Sequence, residues 1–328
     1  MRKITKTIAT ALGLCCALPP LAAQQVAVDP RLPVYKPVQG VSGTIKSVGS
    51  DTLNNLMTLW AEKLKEVYPN VTVEVEGKGS STAPPALIAG TASFGPMSRP
   101  MKETEADEFA RRFGYPPVAV QAAIDMLAVY VHKDNPIARQ GLTLPQVDAI
   151  FSTNRNGGYE RDVTTWGDAG LDGPWARLSI SLYGRNSASG TYGFFKENAL
   201  FKGDYKDSVK EQPGSSSVVQ GVGSDRGGIG YSGIGYQTAD IAAVPLARRA
   251  GAATVAPTPA TVAEYPLARF LLIYLNRAPG KELDPLRREL LKLIFSRAGQ
   301  EVVVKDGYLP VSYEVAEQSL AAVGIAIE

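Results

Sequence analysis

The chain has 328 residues, 45% of them hydrophobic and 20% charged. It is too apolar to be disordered and long enough for two domains or one large lobed one. A formal charge of +2 is too small for a nucleic-acid binder held by phosphate contacts, and 32 Gly with 23 Pro fall short of a low-complexity composition.

Arg2, Lys3 and Lys6 precede an apolar run from Ile8 to Leu18, then Pro19-Pro20-Leu21-Ala22-Ala23. A basic start, a short apolar stretch and small residues read as a secretory signal peptide over residues 1–23, too short for a permanent span. Cleavage after Ala23 removes three cations and no acid. The balance of 34 basic to 32 acidic residues becomes 31 to 32, a formal −1. Cys15 and Cys16 lie inside that segment, so the exported chain has no cysteine and a single histidine, His132. Disulfides, thiol nucleophiles, Cys-rich zinc sites and His-cluster metal sites are excluded on inventory. Residues 24–40, with three prolines among small residues, are expected to be an extended tether.

From Val41 onward strand and helix patterns alternate, which predicts an α/β fold with mainly parallel sheets. One local unit recurs. Val41–Val48 alternates as a strand, Gly49-Ser50-Asp51-Thr52 turns, and Leu53, Leu56, Met57, Trp60, Leu64, Val67 and Tyr68 follow at helical spacing up to Pro69. Val71–Glu76 alternates again, Gly77–Thr82 turns, and Ala83–Ala89 forms a short helix with prolines in its first turn. Leu178–Tyr183 is a third strand, followed by Gly184–Thr191 and a helix through Phe194, Phe195 and Leu200. Apolar runs at Met126–Val131 and Phe270–Leu275 read as further strands.

In each unit a Ser/Thr-bearing loop joins the carboxyl end of a strand to the amino end of a helix. Helix N-termini carry unpaired N–H donors and partial positive charge, and in open α/β sheets such loops meet in one crevice. Three of them aimed at one point suit a small, dehydrated oxyanion. Arg185 supplies one full positive charge whose guanidinium can bind such an anion through parallel donors.

The three loops, ending in Arg185-x-x-x-Ser189-Gly190-Thr191, resemble in order and spacing the periplasmic phosphate-binding proteins of ABC transporters. The likeness runs from about Gly43 to the C-terminus and includes Ile229–Tyr236. It implies a type II-like periplasmic-binding-protein fold, with two lobes joined by two crossing strands and closing on phosphate in the cleft. Lobe 1 is expected over residues 41–124 and 264–328, and lobe 2 over 125–263. The ligand residues implied are Asp51, Thr52, Ser80, Arg185, Ser189, Gly190 and Thr191, to which Ser50, Ser98 and Arg99 are added as candidates from the same loops, with no cofactor and no metal expected. The partners implied are inorganic phosphate and an ABC-transporter membrane permease. The protein is expected to be a periplasmic monomer.

The sequence departs from the family pattern in two regions. Where such proteins commonly carry an aspartate that accepts the phosphate proton, just after the short strand at Ala92–Met97, this chain has Ser98 and then Arg99. The first loop has Asp51 where the family often has a hydroxyl, and Ser187 stands where an acid often pairs with the site arginine. Asp51 is therefore expected to take over the proton acceptor's task, with Arg99 as its neighbouring cation; the alternative is that Asp51 caps its own helix. Monohydrogen phosphate carries a proton and sulfate does not, so a carboxylate facing the ligand would favour the former.

Enzyme readings fail on motif. Gly221–Arg226 breaks the dinucleotide fingerprint at Arg226, Lys78 is followed by Gly79 rather than by a P-loop hydroxyl, and no Gly-x-Ser-x-Gly elbow occurs. Glu105, Asp107 and Glu108 read as the solvated face of a helix. The alternatives carried are a binding protein for a sulfate-like oxyanion, or the same fold turned to adhesion or signalling.

Overall fold

A computed structural model describes residues 26–327; the expected signal peptide lies outside the described residues. The first half of the chain forms β1 (Gly43–Val48), α1 (Asn54–Val67), β2 (Val71–Glu76), α2 (Ala83–Ile88), β3 (Gly95–Met97), α3 (Glu103–Phe113), β4 (Val118–His132), α4 (Ile137–Gln140), β5 (Leu142–Thr143) and α5 (Leu144–Phe151). The second half forms β6 (Ser181–Arg185), α6 (Gly190–Asn198), β7 (Lys210–Gln212), α7 (Ser215–Ser224), β8 (Gly228–Gly233), β9 (Ile241–Ala243), β10 (Leu246–Ala247), β11 (Ala268–Leu275), α8 (Pro285–Ile294), α9 (Arg297–Lys305) and α10 (Tyr313–Ala322).

Local physics explains the elements that carry the site. In α1 the buried residues Leu56, Met57, Trp60 and Leu64 recur at helical spacing and form one face. In α2 the prolines occupy the first turn, where a missing N–H costs nothing. Single 3₁₀ turns at Asp51–Leu53 and Ser80–Thr82 lead into these two helices.

The two-lobed form follows from one strand. β4 runs 15 residues without a break. From Val118 to Met126 it pairs antiparallel with β11, and from Leu127 to Val131 antiparallel with β8. Two cores flank that change of partner. One gathers Ile45, Trp60, Val120, Ala123, Leu271, Ile273 and Phe295. The other gathers Leu127, Val129, Ile150, Trp166, Phe195, Ile229 and Leu267.

The expected mainly parallel pairing needs correcting. β1–β2, β6–β8 and β6–β7 are parallel, but both crossing strands pair antiparallel because one leaves the first lobe and the other returns to it. Of residues 24–40, expected as a tether, 26–35 are instead packed down, while 36–40 are exposed. Leu32 is buried in the first core, Tyr35 donates to the buried carboxylate of Glu289 at 2.8 Å, and Arg31 pairs with Asp29 and Glu314. Prolines fix φ without forbidding burial, so a Pro-rich segment with apolar side chains can lie along a core as readily as extend from it.

Candidate functional site

The strand-to-helix loops of both lobes meet at the interface. Thr52, Ser80, Ser98 and Thr191 are all buried. Thr52 Oγ1 lies 2.9 Å from Thr191 Oγ1, Ser98 Oγ 3.4 Å from Thr191 Oγ1, and Ser80 Oγ 3.4 Å from Ser98 Oγ. Four hydroxyls thus converge from three loops of one lobe and one helix of the other. The helix is α6, whose N-cap is Ser189. Its Oγ accepts from the amides of Thr191 at 3.1 Å and Tyr192 at 3.4 Å. The lone pairs of Ser189 hold the helix end, and its one proton remains to donate.

Gly190 permits the close approach, because a Cβ there would collide with Ser80 Oγ and lie 2.7 Å from Ser98 Oγ. The second lobe's Ala188 carbonyl also accepts from the Ser81 amide at 3.1 Å. Ser50 is buried beside this cluster in sequence, and its Oγ has no hydrogen-bond partner among the described residues.

Arg185 is the last residue of β6 rather than part of the loop after it, since the strand expected at 178–183 begins three residues later and runs on. The sheet therefore buries its side chain to 1% exposure. Nη1 donates to Ser215 Oγ at 2.8 Å, and Nη2 to the Pro213 carbonyl at 3.2 Å. Nε has no partner among the described residues. Burial pulls the guanidinium pKa down, and the charge of Asp51 opposes that shift.

Two expected arrangements are corrected, the cap by Asp51 and its pairing with Arg99. Asp51 caps no helix of its own; the turn at Asp51–Leu53 has no side-chain cap. Its Oδ2 instead reaches across the cleft, 3.2 Å from Arg185 Nη1, and accepts from the Ser215 amide at the start of α7 at 2.8 Å. A carboxylate absent at Ser187 thus reaches Arg185 from the opposite lobe. Arg99, expected beside Asp51, is held by Glu105 through contacts of 2.7 and 2.8 Å, with a third bond to the Pro100 carbonyl.

Sequence reasoning missed Arg269 and Asp125. Arg269 Nη2 donates to Thr191 Oγ1 at 2.9 Å, and Nη1 to the Ser98 carbonyl at 2.9 Å. The available signal was a single charge inside an apolar strand run, at Ile124-Asp125-Met126 and at Ala268-Arg269-Phe270.

Buried hydroxyls, the amino end of α6 and an arginine already neutralised by a carboxylate can replace the water shell of a small anion with fixed dipoles.

Three comparisons bear on that geometry. A family model described as a PBP superfamily domain matches residues 36–298. A phosphate-binding protein PstS of Pseudomonas aeruginosa is 54% identical over 322 residues, covering 98% of this chain and 99% of the relative. One from Staphylococcus haemolyticus is 29% identical, covering 79% of each. The crystal structure of an ABC-type phosphate transport receptor from Vibrio cholerae superposes with a TM-score of 0.61 at 23% identity, covering 81% of this chain and all of that one. That last likeness shows the fold.

Proposed function

The chain belongs to the PBP superfamily and to the phosphate-binding proteins within it, and from that premise we propose that it captures inorganic phosphate between its lobes and delivers it to an ABC-type membrane permease. It does so in the periplasm, as a monomer exported by its N-terminal signal segment. The observation that carries this reading is the meeting of Thr52, Ser80, Ser98 and Thr191 in a buried interface between two lobes, with the buried Arg185 paired to Asp51, the residue before Thr52. Buried hydroxyls 3.4 Å apart satisfy one another poorly, and an unpaired buried donor costs about 1–3 kcal/mol. An oxyanion with four oxygens accepts from all of them at once.

The mechanism follows from where each group sits. Thr52, Ser80 and Ser98 belong to the first lobe, and Arg185, Ser189, Gly190 and Thr191 to the second. An anion bridging both sets holds the lobes together, while β4 and the return into β11 flex as the hinge. Asp51 closes over Arg185 and α7 as a latch. Neutral donors carry most of the binding, because Arg185 arrives already paired. Arg185→Ala should weaken phosphate binding by at least about tenfold, the scale of a lost charged hydrogen bond. Isothermal titration of wild type and variant with inorganic phosphate measures it, and an unchanged affinity would remove Arg185 from the site.

A further inference from the structure

The buried ion pair at the hinge is the strongest feature that this reading leaves unused. Asp125 and Arg269 face each other across β4 and β11. Their side chains are 0% and 3% exposed. Arg269 reaches Asp125 Oδ2 with Nε at 3.0 Å and Nη2 at 2.8 Å, while Asp125 Oδ1 accepts from the Ile234 amide at 2.9 Å. The guanidinium also lies 5.0 Å from the centre of the Phe194 ring, on the second lobe. Burying two charges is costly, and a well-packed apolar pair often serves stability as well. Stability alone therefore gives little reason for the pair.

Its remaining contacts give a better one. Arg269 binds the Ser98 carbonyl of the first lobe and Thr191 Oγ1 of the second, each at 2.9 Å. A threonine hydroxyl has two lone pairs and one proton. With one lone pair taken by Nη2, the proton of Thr191 is turned away from Arg269, toward Thr52, Ser98 and any anion among them. Accepting from a cation also makes that hydroxyl a stronger donor.

We propose that Arg269 is a positioning residue for anion binding: anchored by Asp125 at the hinge, it fixes the hydroxyl of Thr191 as a donor to the ligand and joins the two lobes in the closed state. The proposal rests on the phosphate reading and adds to it a residue outside the strand-to-helix loops. Opening the cleft must break the bond to Ser98 or the bond to Thr191, so the contact set is complete only when the lobes are together.

The test is a double-mutant cycle read by phosphate titration, using wild type, Arg269→Gln, Thr191→Val and the double variant, with thermal melting to show that each is folded. Arg269→Gln should weaken binding about tenfold in the wild-type background and less than about threefold once Thr191 has lost its hydroxyl. Equal losses in both backgrounds, or no loss in the first, would overturn the proposal. If Arg269→Gln fails to fold because Asp125 is stranded, the same cycle is run with Asp125→Asn added throughout, and the same two outcomes decide. Wild type that does not bind phosphate overturns the functional reading itself; wild type that binds, with Arg269→Gln unaltered, overturns only this step.

Discussion

Asp51→Asn separates two accounts of the first loop. If Asp51 accepted the phosphate proton, the amide would admit sulfate. The structure instead places its Oδ2 3.2 Å from Arg185 Nη1 and 2.8 Å from the Ser215 amide, both on the second lobe. Asparagine keeps the shape and can still accept from Ser215, so the loss is confined to the charge-assisted contact with Arg185. Leaving the buried Arg185 cation without its counter-charge costs about 1.5–3 kcal/mol. Asp51 and Arg185 belong to different lobes, so the loss falls on the closed state and appears in affinity. At about 1.4 kcal/mol per tenfold, phosphate binding should weaken roughly tenfold to a hundredfold. Discrimination against sulfate should stay within about threefold of wild type, because latching is indifferent to the anion's proton. Titration with phosphate, and sulfate competition against labelled phosphate near neutral pH, measure both quantities. Unchanged phosphate affinity, or retained affinity with lost discrimination, would refute the latch and return Asp51 to the ligand.

Three further outcomes are expected. Gly190→Ala puts a methyl group against Ser80 and Ser98, and overpacking of that kind costs about 1–3 kcal/mol; phosphate titration should show at least about tenfold weaker binding, with circular dichroism unchanged. Leu32→Ala removes a fully buried side chain from the segment along the first core, and thermal unfolding should show a loss of about 2–5 kcal/mol with phosphate affinity retained. Burial raises the Asp306 carboxyl from 3.8 to about 6, so the folded state holds that proton more tightly than the unfolded one and stability falls as pH rises through this window. Asp306→Asn should therefore melt higher than wild type above about pH 6 and equal it below about pH 4, by about 1–2 kcal/mol at most, since partial exposure screens the effect.

The units that position Thr52, Ser80 and Ser189 were legible because their signals are short-range. Strand alternation, helical spacing in α1 and small residues at a helix start depend on neighbours within about four positions. The same locality explains the small errors. β6 starts three residues later than its apolar run suggests, and that shift turns Arg185 from a loop residue into a sheet residue buried at the interface. Residues 26–40 look like a linker by composition, yet the apolar side chains of Leu32 and Tyr35 find a core that composition does not show.

The sequence by itself determined the chemistry available: no cysteine after Cys16, one histidine, and hydroxyl-bearing loops at three strand-to-helix junctions, a set suited to holding an oxyanion. It could not determine which charges neutralise one another, because an ion pair leaves no periodic trace and Asp51 has several cations to choose from. Arg99, next to Ser98 in sequence, goes to Glu105; Arg185, from the other lobe, goes to Asp51. Asp125 and Arg269 lie 144 positions apart and meet only because β4 leaves the first lobe where β11 returns to it. Partner choice between distant charges is settled by which strands cross side by side, and only the tertiary structure decides that.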